Sequence, residues 1–262
     1  MVAAAAASST AYPTTHAAPF LAPAANITAY IHILRGIALP RSYGERVNHD
    51  ARDHLLKALE SDPDSGLAHA YLALADTIIG GYSSAPRSVL DQARDRTRHA
   101  TALSPDEARC HRILALILLY QSDFDAAAQH FARALELNPY DADTSAQTGF
   151  FEAIRGHGET GLALLDQAIH LNPMHPAWYY FHRGEALFVL GRYPEAVFAF
   201  SCLPRKSGWY WARLAACSAV RSGRTTAGAW LERAGDRRRS SLRACRGSGT
   251  SKVRPRTCRL GR

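Results

Sequence analysis

Pro63, Pro105, Pro139 and Pro173 stand 42, 34 and 34 residues apart, and each closes a similar phrase: KALESDP, HATALSP, RALELNP and QAIHLNP. Proline cannot extend a helical hydrogen-bond ladder, so each marks a helix exit. Small residues keep the same register. Ala58, Ala100, Ala134 and Ala168 lie five residues before the prolines, and Ala51, Ala93, Ala127 and Gly161 lie twelve before. A further set, Ala73, Ala115, Gly149 and Gly184, falls in the preceding helix, and seven residues after each comes a turn former: Gly80, Ser122, Gly156 or Gly191. Small side chains at fixed helical spacing let two helix axes approach closely. Between the turns, apolar residues recur at the helical period, as in HRILALILLY and FDAAAQHFARAL. The pattern predicts a helix–turn–helix unit of 34 residues used several times over. The 42-residue interval reads as one unit with eight extra residues, GYSSAPRS, in its inner turn.

This unit resembles the tetratricopeptide repeat, TPR. Residues 108–141 carry Ala115, Ala127, Phe131, Ala134 and Pro139 at the family's consensus places. AWYYFHRGEALFVLGRYPEAVFAF, residues 177–200, carries Gly184, Gly191, Tyr193, Ala196 and Phe200. A weaker unit runs from LRGIAL to Pro63, and a last one opens at WYWARLAACSAVRSGR, residues 209–224. The resemblance covers residues 27–224 and implies an all-α, right-handed solenoid of about five helix–turn–helix repeats. In such an array each repeat packs only on its neighbours.

The repeat also decides how a second motif is read. RGHGETG, residues 155–161, has the Gly-x-Gly-x-x-Gly spacing of a dinucleotide fingerprint. That spacing binds a pyrophosphate only where a strand ends before it and a helix begins on it. Here DADTSAQTGFFEAI precedes it and reads as a helix, Gly156 falls at a turn, and Gly161 falls at a packing position. No P-loop, His-Glu-x-x-His helix or Gly-x-Ser-x-Gly elbow occurs. His170 and His175 flank a helix exit and lack a third ligand, while Asp123 and Asp125 suit the positive end of a helix. The five cysteines, odd in number and without Cys-x-x-Cys spacing, suggest neither a disulfide framework nor a zinc site. Nothing assembles a nucleophile, a base and an orienting group, so no catalysis, cofactor or metal is expected.

The net charge of +8 belongs to one end of the chain. Residues 237–262 hold ten Lys/Arg and no Asp/Glu, which leaves about −2 for the rest. Expected boundaries are an Ala/Pro-rich disordered leader over 1–26, the solenoid over 27–235 and a disordered basic tail over 236–262. The last repeat should continue after Arg224 with an amphipathic helix. Instead Gly228 and Gly235 take small packing positions and the chain passes into Arg, Ser, Gly, Thr and Cys, which suggests a frameshift near codon 224. A nucleic-acid role for the tail is weaker, because it has neither amphipathicity nor interleaved aromatics. The longest apolar run, ILALILLY over 113–120, is far short of the ~20 residues of a membrane span. The leader has no Lys or Arg and makes a poor secretory signal, so a cytoplasmic location is expected.

The resemblance implies that the first helices of the repeats line a concave face. Its inward positions fall on Arg109, Arg112, Leu116, Gln147, Phe150, Trp178, Phe181, His182, Glu185 and Arg213. This mixture of an arginine pair and aromatics suits an extended or helical peptide with some acidic character. Chaperone-binding members use a Lys/Asn/Arg clamp for a terminal carboxylate, and only Arg109 and Arg112 suggest part of that here. Tyr179, Tyr180, Trp209, Tyr210 and Trp211 form an aromatic concentration that reads first as packing between repeats. The expected function is a non-catalytic interaction module for a protein or peptide partner, with self-association through the incomplete last repeat as a further possibility. Phrases such as ALELNPYDADT resemble repeat regions at the C-terminus of bacterial class III adenylate/guanylate cyclases and of some winged-helix regulators. That resemblance implies, as the alternative, a detached regulatory part of such a protein.

Overall fold

The computed structural model describes residues 24–38, 45–204 and 208–222. The expected basic tail and the frameshift positions Gly228 and Gly235 lie outside these residues, as does nearly all of the expected leader. Among the described residues eleven α-helices follow one another: α1 (Ala24–Ala38), α2 (Glu45–Ser61), α3 (Gly66–Gly80), α4 (Arg87–Leu103), α5 (Ala108–Tyr120), α6 (Phe124–Leu137), α7 (Ala142–Ile154), α8 (Gly158–Leu171), α9 (Trp178–Val189), α10 (Tyr193–Ser201) and α11 (Gly208–Ser222). No strand occurs among the same described residues. The helices pair as five hairpins, followed by α11 as the first helix of another unit. Each hairpin packs on the next, and the first helices α3, α5, α7 and α9 also touch in series, which makes the all-α solenoid expected from the repeat.

The register has a hydrogen-bonding cause. The carbonyls of Ala58, Ala100, Ala134 and Ala168 accept from the backbone N–H of Asp62, Ser104, Asn138 and Asn172, at 2.8–3.0 Å, and the proline follows at once. The ladder therefore closes on the residue before each proline, whose missing N–H would have interrupted it. Among the described residues, three helix starts are capped by side chains: Ser65 accepts from Ala68 N–H, Glu107 from Arg109 N–H and Asp123 from Ala126 N–H.

The inner turns use the left-handed backbone region at Ser122 (φ 64°), Gly156 (φ 91°) and Gly191 (φ 72°). In the longer repeat the expected turn residue Gly80 is instead the last residue of α3. The left-handed positions there are Gly81 (φ 106°) and Tyr82 (φ 58°), followed by a 3-10 turn over Tyr82–Ser84. Six of the eight extra residues, 81–86, thus form the elbow between α3 and α4, and Arg87 and Ser88 open α4. Where helices touch, the small residues are required by space. A Cβ on Gly149 would come within 2.7 Å of the Gly161 carbonyl oxygen, and one on Gly161 within 2.5 Å of the Gly149 oxygen. These facts also dispose of the dinucleotide fingerprint: Gly156 turns the chain between two helices, and Gly161 lets them meet.

Tyr179, Tyr210 and Trp211 are buried in the C-terminal core cluster with Phe200 and Leu214, and Tyr180 packs at its edge. The Trp209 side chain falls outside the described residues. Cys110 and Cys217 are buried free thiols, and burial pushes them up to about 12 and about 11, so neither is a reactive thiolate. Among the described residues, no helix is long and apolar enough to cross a membrane.

Candidate interaction face

Seven of the ten expected inward positions share three places in the repeat register. Gln147 and His182 each stand two residues before the small packing residue of a first helix, as does Tyr71, which was not among the ten, and Arg112 and Phe181 stand three before. Leu116, Phe150 and Glu185 stand one after. Because the first helices stack, these places line up across the repeats.

Arg112 of α5 joins three helices. Its Nη2 donates to the Tyr71 hydroxyl on α3 at 2.9 Å, and its Nη1 donates to Gln147 Oε1 on α7 at 3.1 Å. Its Nε lies 3.7 Å from the carboxylate of Asp141, the residue that precedes α7. The guanidinium also stands over the Tyr71 ring, 5.9 Å from its centroid. The side chain is only 2% exposed. Burial alone would lower its basicity, but Tyr71 and the carboxylates of Asp143 and Asp141 outweigh that and hold it charged. Asp143 in turn accepts from the Tyr179 hydroxyl at 2.7 Å, which carries the polar chain onto α9. Arg109, the other member of the expected arginine pair, is clasped by Glu107 through Nε and Nη2, both at 2.8 Å. Both cations thus already have carboxylates within the chain.

Next to this polar chain stands an aromatic wall. Phe150 of α7 stacks on His182 of α9 with centroids 4.1 Å apart and planes within 8°. Trp178 meets the edge of His182 at 5.0 Å, and Phe181 lies 6.3 Å from Phe150. Phe150 and His182 are buried, while Trp178 and Phe181 keep part of their surface open. Burial lowers His182 to about 3, opposed by a hydrogen bond to the Ala146 backbone, so the imidazole is neutral across the physiological range. Glu185, one turn from Phe181, pairs with Arg213 Nε of α11 at 2.6 Å. Burial pushes this carboxyl up to about 7, although Arg213 opposes the shift. Arg213 also lies over the Phe188 ring at 5.6 Å.

The structure therefore divides the expected positions. Arg112, Leu116, Gln147, Phe150, His182 and Glu185 are buried, where they contact one another or the core. Arg109, Trp178, Phe181 and Arg213 remain partly exposed. Tyr71, Asp141 and Asp143 complete the polar chain and were not among the residues expected from sequence. Tyr71 shares the register of Gln147 and His182, a signal that was present. Asp141 and Asp143 act from the edge of α7, where position in the repeat does not reveal a partner one hairpin away. Among the described residues, no group of three or more His, Cys, Asp or Glu is placed to hold a metal ion.

Two stretches match tetratricopeptide repeat models, residues 108–141 and residues 155–200. No curated protein sequence matches the chain significantly. Solved structures resemble it in fold. PilF of Pseudomonas aeruginosa is 18% identical, with a TM-score of 0.50 over 79% of this chain and 90% of its own. A thermophilic TPR protein of Thermus thermophilus is 18% identical, with a TM-score of 0.55 over 72% of this chain and 98% of its own. Human IFIT1, solved as a dimer with m7Gppp-AAAA, is 19% identical with a TM-score of 0.64 over 79% of this chain. The match spans 49% of the IFIT1 chain.

Proposed function

We propose that this chain is a non-catalytic tetratricopeptide scaffold that takes a protein or peptide partner along the face of its first helices. Trp178 and Phe181 are its apolar anchors, with Arg213, held by Glu185 one turn along α9 from Phe181, as a flanking cation. The observation that carries this reading is the aromatic wall. Its two partly exposed rings are held in place by two buried ones, Phe150 and His182, so they need little further ordering when a ligand arrives. Rigid, partly exposed aromatics are the usual energetic anchors of an interface. Tetratricopeptide proteins bind protein or peptide partners, which agrees with this use of the face. Because Arg109 and Arg112 are already paired, the ligand is a segment bearing an apolar or aromatic side chain rather than a free terminal carboxylate.

The experiment is selection from a random peptide library on the full chain, followed by titration of the selected peptides. Trp178→Ala and Phe181→Ala are each expected to weaken binding about tenfold or more while helix content by circular dichroism is unchanged. Selected peptides that bind both variants as they bind the parent chain would move the site off this face.

A further inference from the structure

Three successive hairpins set a histidine of the first helix against a histidine of the second. His32 faces His54 between α1 and α2, His69 faces His99 between α3 and α4, and His111 faces His130 between α5 and α6. The ring centroids are 5.1, 5.1 and 5.2 Å apart. The positions follow the repeat: His54 and His130 each lie nine residues before a helix-ending proline, and His69 and His111 each lie six after one. The first and third pairs meet Nδ1 to Nδ1, at 2.9 Å and 3.0 Å. In both, the centroids are farther apart than the nitrogens by two ring radii, so the rings face each other nitrogen-first along one line. An N–H···N bond fits that arrangement. A bridging metal does not, because it would need about 2.0–2.1 Å to each nitrogen with lone pairs converging on it.

The remaining nitrogens fix where the hydrogen sits. His111 Nε2 lies 2.9 Å from the Pro105 carbonyl oxygen, which only accepts, so Nε2 carries the hydrogen and Nδ1 is the bare acceptor. His130 Nδ1 must then donate. One further proton can settle on His130 Nε2 and leave the contact intact. The next must go to His111 Nδ1, which sets N–H against N–H and cation against cation. His69 Nε2 is anchored in the same way on the Pro63 carbonyl at 2.9 Å, but its Nδ1 has no hydrogen-bond partner, so this pair lacks the bond.

The surrounding charges oppose full protonation. Burial first, then His111 and then Arg98 of α4 hold His130 below its ordinary value. On the same hairpin Arg133 is engaged with Asp106 at 3.3 Å and with Glu136. Burial first, then His32, Arg35 and Lys57 hold His54 down, and Asp50 alone pulls the other way. Toward α3, Arg52 is engaged with Asp76 at 2.7 Å.

We propose that the facing imidazoles His32/His54 and His111/His130 are proton-counting clasps, closed by one shared hydrogen and opened by double protonation, so that mild acid loosens the hairpins α1/α2 and α5/α6. The sign follows from the lowered partner. The open chain binds protons more readily than the closed hairpin, so stability is complete above the ordinary histidine value and falls as the pH drops below it.

Two measurements on the full chain test this. Imidazole ¹H–¹⁵N correlation spectra at pH 7.5 are expected to show His111 hydrogenated at Nε2 and His130 at Nδ1. Amide exchange by mass spectrometry, corrected for intrinsic rates, is expected to show α5 and α6 losing protection about tenfold between pH 7.5 and 5.5. His130→Asn supplies an amide that takes no proton, donates N–H to the bare His111 Nδ1 and, turned over, accepts from the protonated ring through Oδ1, so it is expected to keep that protection. His182 titrates between α7 and α9, a different contact, so its effect is the same in both proteins. Finding His130 hydrogenated at Nε2 alone, or an equal acid loss of α5 and α6 protection in His130→Asn, would overturn the proposal. Should that variant not fold, His54→Asn gives the same comparison at α1 and α2, and the tautomers in the parent chain still decide.

Discussion

Arg112 shows how a charge is kept inside a helical array. Its donors reach one hydroxyl and one amide oxygen, and a carboxylate lies beside it, each on a different segment. Truncation orphans two buried polar groups at once, so Arg112→Ala is expected to lower unfolding stability by about 3 kcal/mol in urea titration. Replacing the group together, Arg112→Met with Tyr71→Phe and Gln147→Leu, is expected to recover most of that loss, because both of its hydrogen-bond acceptors leave with it. His182 and Glu185 titrate with opposite signs. His182 is lowered to about 3, so it contributes stability above pH 6.5 that is lost as the pH falls toward 3, at up to about 1.4 kcal/mol per pH unit. Glu185 is raised to about 7, so its contribution is complete below its unfolded value of 4.5 and is lost as the pH rises through 7. Urea midpoints at pH 5.5 and 8 separate the two. Glu185→Gln is expected to gain relative to the parent at pH 8, and His182→Gln to flatten the acid side.

At the scale of the helix pair, two kinds of glycine predict two kinds of damage. Gly161→Ala pushes a methyl into the Gly149 carbonyl, which is backbone and cannot turn aside. Overpacking of this kind costs about 1–3 kcal/mol, and it is expected to loosen α7 from α8 as well as lower the melting temperature. Gly156→Ala meets nothing within 4 Å, but it forces a side chain into φ 91°. Its expected cost is about 1 kcal/mol with the packing of α7 on α8 unchanged. Exchange protection across Phe150–Leu165 distinguishes the two outcomes. These positions were legible in the sequence because prolines and small residues repeat at one spacing, and spacing alone fixes which residues of a hairpin meet. The elbow was less legible. Gly80 and Gly81 are adjacent, and only the built turn shows that the second takes the left-handed backbone. For the interaction face, the sequence indicated the helix side but not how closely neighbouring helices approach. Phe150, His182 and Glu185 are consequently on the expected side and buried, and only Trp178, Phe181, Arg109 and Arg213 keep contact with solvent.

Across the whole molecule, stability is a series of intrinsic and nearest-neighbour contributions rather than a single core. The four tryptophans, Trp178, Trp209, Trp211 and Trp230, all stand at or after α9, so their fluorescence reports the C-terminal part, whereas circular dichroism reports every helix. The two signals are expected to give non-coincident urea transitions, and coincidence would show one cooperative unit. The aromatic core around Tyr179, Phe200, Tyr210 and Trp211 supports a later fluorescence transition, because it packs three large rings and a phenylalanine where the N-terminal cluster has one tyrosine among alanine, leucine and isoleucine.

The side chain that binds both its neighbours also restricts how an array of this kind can be rearranged. Solenoids lengthen and shorten by copying or deleting whole units, since each new unit finds a familiar surface on either side. Arg112 instead seeks a tyrosine in the unit behind it and a glutamine in the unit ahead. A tandem copy of residues 108–141 would set isoleucine, from position 113, where one arginine needs its hydroxyl and the other its amide. Growth by duplication is therefore penalised at the centre of this chain, and lineages that vary in repeat number are expected to vary it toward the ends.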